Sequence, residues 1–231
     1  MLDTSLVADS LRRCALFAHA GDDALRALAD GMRSRQFRRG EVVFHEGDAG
    51  DSLQVVTSGS VKIVLSSRGG EEAIIATLHP GEFFGELALL DGAPRSTTAT
   101  AIEPTETLSL SRDAFLELLR RDPQIVEALL VSLAEVVRRL TGHVEELHFV
   151  DLPGRLAKLI ARLGREQSPQ GSGRVELTWP YTQSDLAAMV GGTRQSVNRV
   201  LSDLVEEGLL TTERDRLVIH DLAALERRGD R

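Results

Sequence analysis

The chain has 231 residues, 42% of them hydrophobic and 27% charged, with a formal net charge of −8. That composition supplies a packed core for one or two domains, and no run approaches the ~18 consecutive apolar residues of a membrane span. The single cysteine, Cys14, excludes an internal disulfide framework, a four-cysteine iron–sulfur cluster and a cysteine-rich zinc site.

Met1 to Phe17 carries Asp3, Asp9, Arg12 and Arg13 and has no apolar h-region. No signal peptide is therefore expected, and a cytoplasmic location is. The charge is uneven. Residues 1–150 hold 15 Lys/Arg and 23 Asp/Glu, a net of −8, while residues 151–231 hold 12 of each, a net of 0. The C-terminal third is the better candidate for facing a polyanion.

Residues 5–36 read as short helices: Leu6, Leu11, Leu16 and Phe17, a break at Gly21-Asp22-Asp23, then Leu25, Leu28, Ala29 and Met32 at helical spacing. From 37 to 112, glycines punctuate short β-rich runs. These include Glu41–Phe44, Leu53–Val56, Val61–Leu65 and Ala73–Ala76, with Gly69-Gly70 as a hairpin signal. This texture predicts an antiparallel barrel or jelly roll.

A helix after Asp113 carries Phe115, Leu116, Leu118 and Leu119 and stops before Pro123. The next, 123–149, places Val126, Leu130, Leu133, Val137, Leu140, Val144 and Leu147 at 4-3-4-3-4-3 spacing. That is a heptad seam, compatible with packing on its own domain or with a parallel dimeric coiled coil; the narrowness of the stripe favours the dimer.

Asp151-Leu152-Pro153 marks a boundary, with Asp151 capping a helix through Leu156, Leu159, Ile160 and Leu163. A Gly/Ser/Pro loop (Gln167 to Gly173), a strand (Val175–Leu177), two short helices and a ribbon (Leu209–Thr212 and Leu217–His220, turning at Glu213–Arg216) follow.

The two short helices form a helix-turn-helix. Leu186, Ala187 and Val190 make one apolar stripe, Gly191 sits where the turn needs positive φ, and Thr193 caps a second helix buried through Val197, Val200, Leu201 and Leu204. Its outer face shows Arg194, Gln195, Asn198 and Arg199, and Ser196 is counted with them as a candidate DNA contact. Arg194 and Arg199 can each fork onto guanine O6 and N7, Gln195 can reach a base edge, and Thr182, Gln183 and Thr193 can touch phosphates.

Upstream, Gly85-Glu86 opens a short helix and Arg95-Ser96 follows nine residues after Glu86, a small anion cradle on spacing alone. A buried Glu86–Arg95 ion pair is the competing structural reading. Phe84-Gly85-Glu86-Leu87-Ala88 through Arg95-Ser96-Thr97-Thr98-Ala99 resembles the phosphate-binding cassette of cyclic-nucleotide-binding domains. Gly40, Gly47, Gly59 and Gly50-Asp51 match the glycine pattern of that domain. With the long helix, the Asp-Leu-Pro-Gly-Arg hinge and the winged helix in the same order, nearly the whole chain resembles the CRP/FNR superfamily of bacterial transcription regulators.

That resemblance implies an α+β fold with an N-terminal β-roll (residues 1–122), a long dimerisation helix (123–150) and a C-terminal winged helix-turn-helix (151–231). Arg95 and Ser96 match positions that bind the cyclic phosphate, and Glu86 the acceptor for the ribose 2′-hydroxyl. Gly85, with Leu87 beside it, lets the backbone approach the ligand. Leu140 and Thr141 fall where cyclic-AMP-binding members contact adenine; Thr141 fits and Leu140 departs. In the recognition helix Gln195 replaces a Glu that accepts from cytosine, so a TGTGA-like half-site with altered preference is expected. The implied protein is a homodimer on a pseudo-palindromic double-stranded operator, controlled by a small ligand such as cyclic AMP, with RNA polymerase as a further partner and no membrane.

Two alternatives stay open: a ligand-independent or other-ligand regulator, and a regulatory binding module for an enzyme. The six histidines, including His143 and His148 five apart, do not share a metal-binding face, so no metal or haem is expected. Cys14 reads as a buried small residue, and Ser96 and Ser196 have no histidine at interpretable spacing, so no catalytic role is expected.

Overall fold

The computed structural model describes residues 4–168, 173–213 and 216–229. The chain divides between Arg138 and Arg139 into two compact units.

The first unit begins with α1 (Thr4–Arg12), a 3-10 turn (Ala15–Phe17) and α2 (Asp22–Gly31). Eight strands follow: β1 (Arg33–Phe37), β2 (Val42–Phe44), β3 (Ser52–Ser58), β4 (Val61–Ser66), β5 (Glu72–Leu78), β6 (Phe83–Phe84), β7 (Thr98–Ala101) and β8 (Thr105–Ser111). They form two four-stranded antiparallel sheets, ordered β1-β8-β3-β6 and β2-β7-β4-β5. This is the expected β-roll. Phe37, Val43, Val56, Val61, Ile63, Leu78, Phe84 and Ala99 fill the space between the sheets. The β4–β5 hairpin closes on the turn around Gly69-Gly70, where the Ser67 hydroxyl accepts from the amides of Gly69 and Glu71.

β3 alternates Leu53 and Val55 toward a second core, shared with Leu11, Phe17, Leu25, Leu110 and Phe115. Its opposite face carries Val56 and the buried Gln54, whose amide is satisfied by Ser52, Ser109 and Thr107. Cys14 lies in the second core, and burial pushes its thiol up to about 11, so it packs rather than reacts.

The helical reading of 5–36 overran by four residues, because Arg33–Gln36 belong to β1. β1 is an edge strand with only Phe37 buried, so it lacks the apolar alternation that marks a half-buried strand.

Then come α3 (Glu86–Asp91), set between β6 and β7, α4 (Arg112–Arg121), capped by Ser111, and α5 (Pro123–Phe149). α5 packs on its own unit through Ile125 and Leu129, which are buried, with Leu133 partly buried beside them. Of the seam, Val126 is half-buried and the later positions stay open: Leu130 and Val137 are each 62% exposed, and Leu140, Val144 and Leu147 are exposed too.

The second unit contains α6 (Leu152–Gln167), β9 (Val175–Thr178), α7 (Gln183–Val190), α8 (Arg194–Glu206), β10 (Leu210–Glu213), β11 (Arg216–Ile219) and α9 (Leu222–Gly229). Asp151 caps α6, accepting from the Gly154 amide at 2.8 Å. α6 runs through Gln167, so the expected loop starts later; its residues 169–172 and the ribbon tip at 214–215 lie outside the described residues. The ribbon gains β9 as a third strand, in the order β10-β11-β9. α9 was not expected. Asp221 caps it through the Ala224 amide, Leu222 and Leu225 are buried, and Arg165 holds Glu226 through two bonds of 2.7 and 2.9 Å. Among the described residues no helix is long and apolar enough to cross a membrane.

Candidate functional site

The first candidate site is built around Arg95. Its backbone is tied to the 47–48 turn: the Arg95 amide donates to the Asp48 carbonyl and its carbonyl accepts from the Gly47 amide, both at 2.8 Å. The side chain, only 4% exposed, points inward beneath α3. Nη1 donates to the Gly85 carbonyl at 2.6 Å and Nη2 to the Ser52 carbonyl at 2.7 Å. The guanidinium lies 4.2 Å over the Phe44 ring.

Two features mark this guanidinium as unfinished. Nε is buried and has no hydrogen-bond partner. Among the described residues the one carboxylate in ion-pair range, Asp51 at 3.7 Å, is itself 87% exposed. Burial lowers the Arg95 pKa, while the charges of Asp51, Glu86 and Asp48 raise it. Arginine stays charged in water, so the fold buries here a cation with one donor unpartnered among the described residues.

Gly85 makes the close approach possible. It caps α3 with φ +88°, and a Cβ there would fall 2.5 Å from Arg95 Nη1. Both the backbone conformation and the space require glycine. Glu86 follows, half-buried. Burial raises its pKa, opposed by its own backbone N–H and by the Arg95 charge. No salt bridge joins Glu86 to Arg95 among the described residues, so the competing ion-pair reading does not hold in this form. Leu87 and Ser96 are exposed nearby. Leu140 and Thr141, on α5, belong to the second unit and are exposed there.

The second candidate site is the helix pair α7–α8. Thr182 accepts from the Asp185 amide at 3.1 Å, while the buried Asp185 carboxylate takes bonds from the Thr182 amide and hydroxyl. This reciprocal cap fixes where α7 starts. α7 ends at Gly191, with φ +65°, where a Cβ would meet Leu147 Cδ2 at 2.8 Å. Thr193 caps α8 by accepting from the Ser196 amide at 3.1 Å, and its hydroxyl also meets that of Ser196 at 2.9 Å. Val197, Val200, Leu201 and Leu204 are buried, as the apolar spacing predicts. The opposite face presents Arg194, Gln195 and Arg199 to solvent, with Ser196 and Asn198 half-buried. Gln183 is exposed at the start of α7, and its side-chain Oε1 lies 3.5 Å from Arg194 Nε. The hydroxyls of Thr182 and Thr193 are engaged as caps.

Sequence reading missed three participants. Phe44 under Arg95 carries no signal beyond its place in a strand. Ser52 acts through its carbonyl. Arg155, in α6, donates from Nε to the Val190 carbonyl at 2.8 Å and from Nη1 to the Val150 carbonyl at 2.6 Å. Among the described residues no group of three or more His, Cys, Asp or Glu could hold a metal ion.

Comparison with known proteins assigns a family to each part of the chain. The family profile "Cyclic nucleotide-binding domain" matches residues 34–122, and the profile "Crp-like helix-turn-helix domain" matches residues 154–228. A "CRP-like cAMP-activated global transcriptional regulator" of Mycobacterium tuberculosis is 35% identical over 95% of this chain and 98% of its own length. The "Cyclic AMP receptor protein" of Thermus thermophilus is 36% identical over 84% of this chain and 87% of its own. The solved structure of FixK2 from Bradyrhizobium japonicum superposes with a TM-score of 0.75 over 85% of this chain and 96% of that one, at 22% identity, which speaks to fold. With a nucleotide-binding β-roll followed by a helix-turn-helix, and relatives matched over nearly their full length, the chain belongs to the CRP/FNR family of transcription regulators.

Proposed function

We propose that this regulator is a homodimer whose affinity for a pseudo-palindromic operator is set by a cyclic nucleotide, cyclic AMP in the first instance, held in the β-roll. The observation that carries the reading is the buried Arg95 guanidinium, with Nε unpartnered among the described residues and the exposed Asp51 as its ion-pair carboxylate. A cyclic phosphate supplies what that seat lacks: an anion with several acceptor oxygens in a compact shape. Gly85 leaves room for it, and Ser96 offers a neighbouring hydroxyl. Glu86 accepts from the ribose 2′-hydroxyl, the bond that separates a ribonucleotide from inorganic phosphate. The two relatives named above, one printed as cAMP-activated and one as a cyclic AMP receptor, favour the adenine nucleotide, and Thr141 is the residue assigned to its base.

Residues 1–122 then act as the sensor, 123–150 as the dimerisation helix and 151–231 as the DNA-binding part. The exposed seam of Leu130, Val137, Leu140, Val144 and Leu147 is buried when two copies of α5 pair in parallel. The paired α8 helices enter successive major grooves, where Arg194 and Arg199 read guanines and Gln195 reads the neighbouring edge. Gln183, with the ends of α7 and α8, meets phosphates. The ligand controls operator affinity only by binding one arrangement of the dimer more tightly than the other.

Calorimetric titration of the protein with cyclic AMP, beside Arg95→Ala, tests the seat. The reading predicts saturable one-to-one binding per chain that the substitution abolishes. A wild-type protein that takes up no cyclic AMP overturns it and moves the seat to another anionic effector. A second reading, a dimer competent without any ligand, is favoured by the internal bonds from Arg95 to Gly85 and Ser52, which hold the guanidinium in place with none bound.

A further inference from the structure

A glutamine is buried in the wall of the β-roll. Gln54 is 1% exposed, and its strand neighbours Leu53, Val55 and Val56 are apolar and buried. Ser52 and Gln54 lie two apart on one face of β3. Thr107 and Ser109 lie two apart on the adjoining β8, with Gln54 paired to Ser109. A buried primary amide is costly unless its donors and its acceptor are met. Here they are: Nε2 donates to Ser52 Oγ at 3.1 Å and to Ser109 Oγ at 2.9 Å, and Oε1 accepts from Thr107 Oγ1 at 2.9 Å. Such bonds offset the cost of burial and leave little net stability, so stability alone does not account for the amide.

The direction of these bonds is fixed from one end. Ser52 Oγ also meets Asp51 Oδ1 at 2.9 Å. A carboxylate only accepts, so the Ser52 hydroxyl donates there and must accept from Gln54. That turns Nε2 toward Ser52 and Oε1 toward Thr107, which donates in turn. The chain therefore runs one way, from Thr107 to Gln54 to Ser52 to Asp51, each bond polarising the next. It ends beside Arg95. Asp51 Oδ1, the oxygen that accepts from Ser52, is 3.7 Å from Arg95 Nη2, and the Ser52 carbonyl accepts from that same nitrogen at 2.7 Å. The Asp51 backbone is held, since its carbonyl accepts the Arg112 amide at 2.8 Å. Rotation of the carboxylate thus decides how closely it approaches the guanidinium.

We propose that Gln54 is a positioning residue for the Arg95 seat. Acting through the Ser52 hydroxyl, it keeps the Asp51 carboxylate turned to Ser52 and away from close contact with the guanidinium. Asp51 is then a weak internal stand-in that an incoming anion displaces, where a carboxylate closed on Arg95 would compete with it. This rests on the reading of Arg95 as the seat of a cyclic phosphate. Without the Gln54 amide, the Ser52 hydroxyl loses the donor that fixes its orientation. The carboxylate then gains more by closing on Arg95 in a charge-assisted bond.

The test titrates cyclic AMP calorimetrically into the full chain as wild type, Gln54→Met, Ser52→Ala and Asp51→Asn, and into the first two variants each combined with Asp51→Asn. Methionine keeps the length of glutamine and loses its bonds, and Ser52→Ala keeps the carbonyl that Arg95 uses. Gln54→Met and Ser52→Ala are each expected to bind about tenfold more weakly than wild type, the worth of one hydrogen bond to a charged group. Removing the competing carboxylate restores them, so that each double variant binds within about twofold of Asp51→Asn alone. A Gln54→Met protein that binds as wild type does overturns the proposal. So does a double variant still about tenfold below Asp51→Asn, since Gln54 would then serve the fold and not the carboxylate. Should Gln54→Met not fold, Thr107→Val, which frees the other end of the amide, takes its place in both readouts. The second readout needs no ligand: crystal structures of the nucleotide-free proteins. Asp51 within hydrogen-bond distance of Arg95 Nη2 in Gln54→Met and Ser52→Ala supports the proposal, and the wild-type separation kept in both overturns it. A wild type that takes up no cyclic AMP counts against the nucleotide seat, and the ligand-free structures still decide the part played by Gln54.

Discussion

Arg95 Nη1 donates to the Gly85 carbonyl at 2.6 Å, and a Cβ on that same glycine would stand 2.5 Å from the same nitrogen. The bond that holds the guanidinium and the space that admits a ligand therefore depend on one missing methyl. Gly85→Ala must bear a backbone conformation that costs roughly 1–3 kcal/mol and must also displace Arg95. The expected outcome is a lower thermal midpoint and loss of cyclic-AMP binding in the same titration used for Arg95→Ala. A variant that binds normally would mean that the seat lies elsewhere.

Glu86 gives a pH signature. Burial raises its pKa in the folded chain above the unfolded value. The folded state therefore binds the proton more tightly, so this contribution to stability is full in acid and is lost as pH rises through the folded pKa. Glu86→Gln removes the charge that burial penalises. Thermal melts across pH are expected to show Glu86→Gln above wild type at neutral pH, the gap closing on acidification. The same variant weakens nucleotide binding, because an amide accepts the ribose hydroxyl less strongly than a carboxylate.

The outer face of α8 predicts a split between affinity and specificity. Arg194→Ala and Arg199→Ala each remove a fork to a guanine, worth about 1–3 kcal/mol of discrimination at one base pair, or roughly 5- to 150-fold. Gln183→Ala lowers affinity for all sequences alike and leaves the preference unchanged. Competition binding against duplexes varied one pair at a time separates the two outcomes. Thr193→Ala loses the cap to Ser196 and costs about 1 kcal/mol of stability, read by a thermal melt.

In the proposed dimer the open seam on α5 sets the oligomer. Val137, 62% exposed, lies midway along it, away from the Ile125 and Leu129 contacts that hold α5 to its own unit. Val137→Glu introduces two facing carboxylates into a paired seam and leaves the protomer core untouched. Sedimentation equilibrium is expected to show a dimer for the wild type and a monomer for the variant, with an unchanged melting profile in the β-roll. A wild-type monomer at micromolar concentration would remove the basis for a palindromic operator.

Where one face was buried at a fixed period, the sequence was legible. The buried stripe Val197, Val200, Leu201 and Leu204 of α8, the Asp151 cap and the bounds of α5 all rest on local rules that the structure satisfies. β1 was not legible, because four of its five residues are polar and its pairing lies on one side only. α9 was missed although Asp221, Leu222 and Leu225 carry a cap and a helical pair; its eight residues are too few for a period to stand out. At the proposed ligand seat, Gly85, Glu86 and Arg95 were readable as a motif. Their supports were not, since the Ser52 and Gly85 carbonyls act through backbone that every residue shares, and Phe44 reaches Arg95 only through the fold. Arg155 escaped notice for the same reason: its acceptors are carbonyls.

The central claim is that occupancy of the Arg95 seat controls operator affinity. The direct test measures binding of wild type and Arg95→Ala to a palindromic duplex recovered by the wild type from a random-sequence pool, with and without saturating cyclic AMP, at one fixed salt concentration. A coupling of about 1–3 kcal/mol is the ordinary range, so the wild type should gain roughly 5- to 150-fold in affinity on adding the nucleotide, and Arg95→Ala should gain nothing. Equal wild-type affinity with and without cyclic AMP, or an Arg95→Ala protein that responds as the wild type does, would contradict the account.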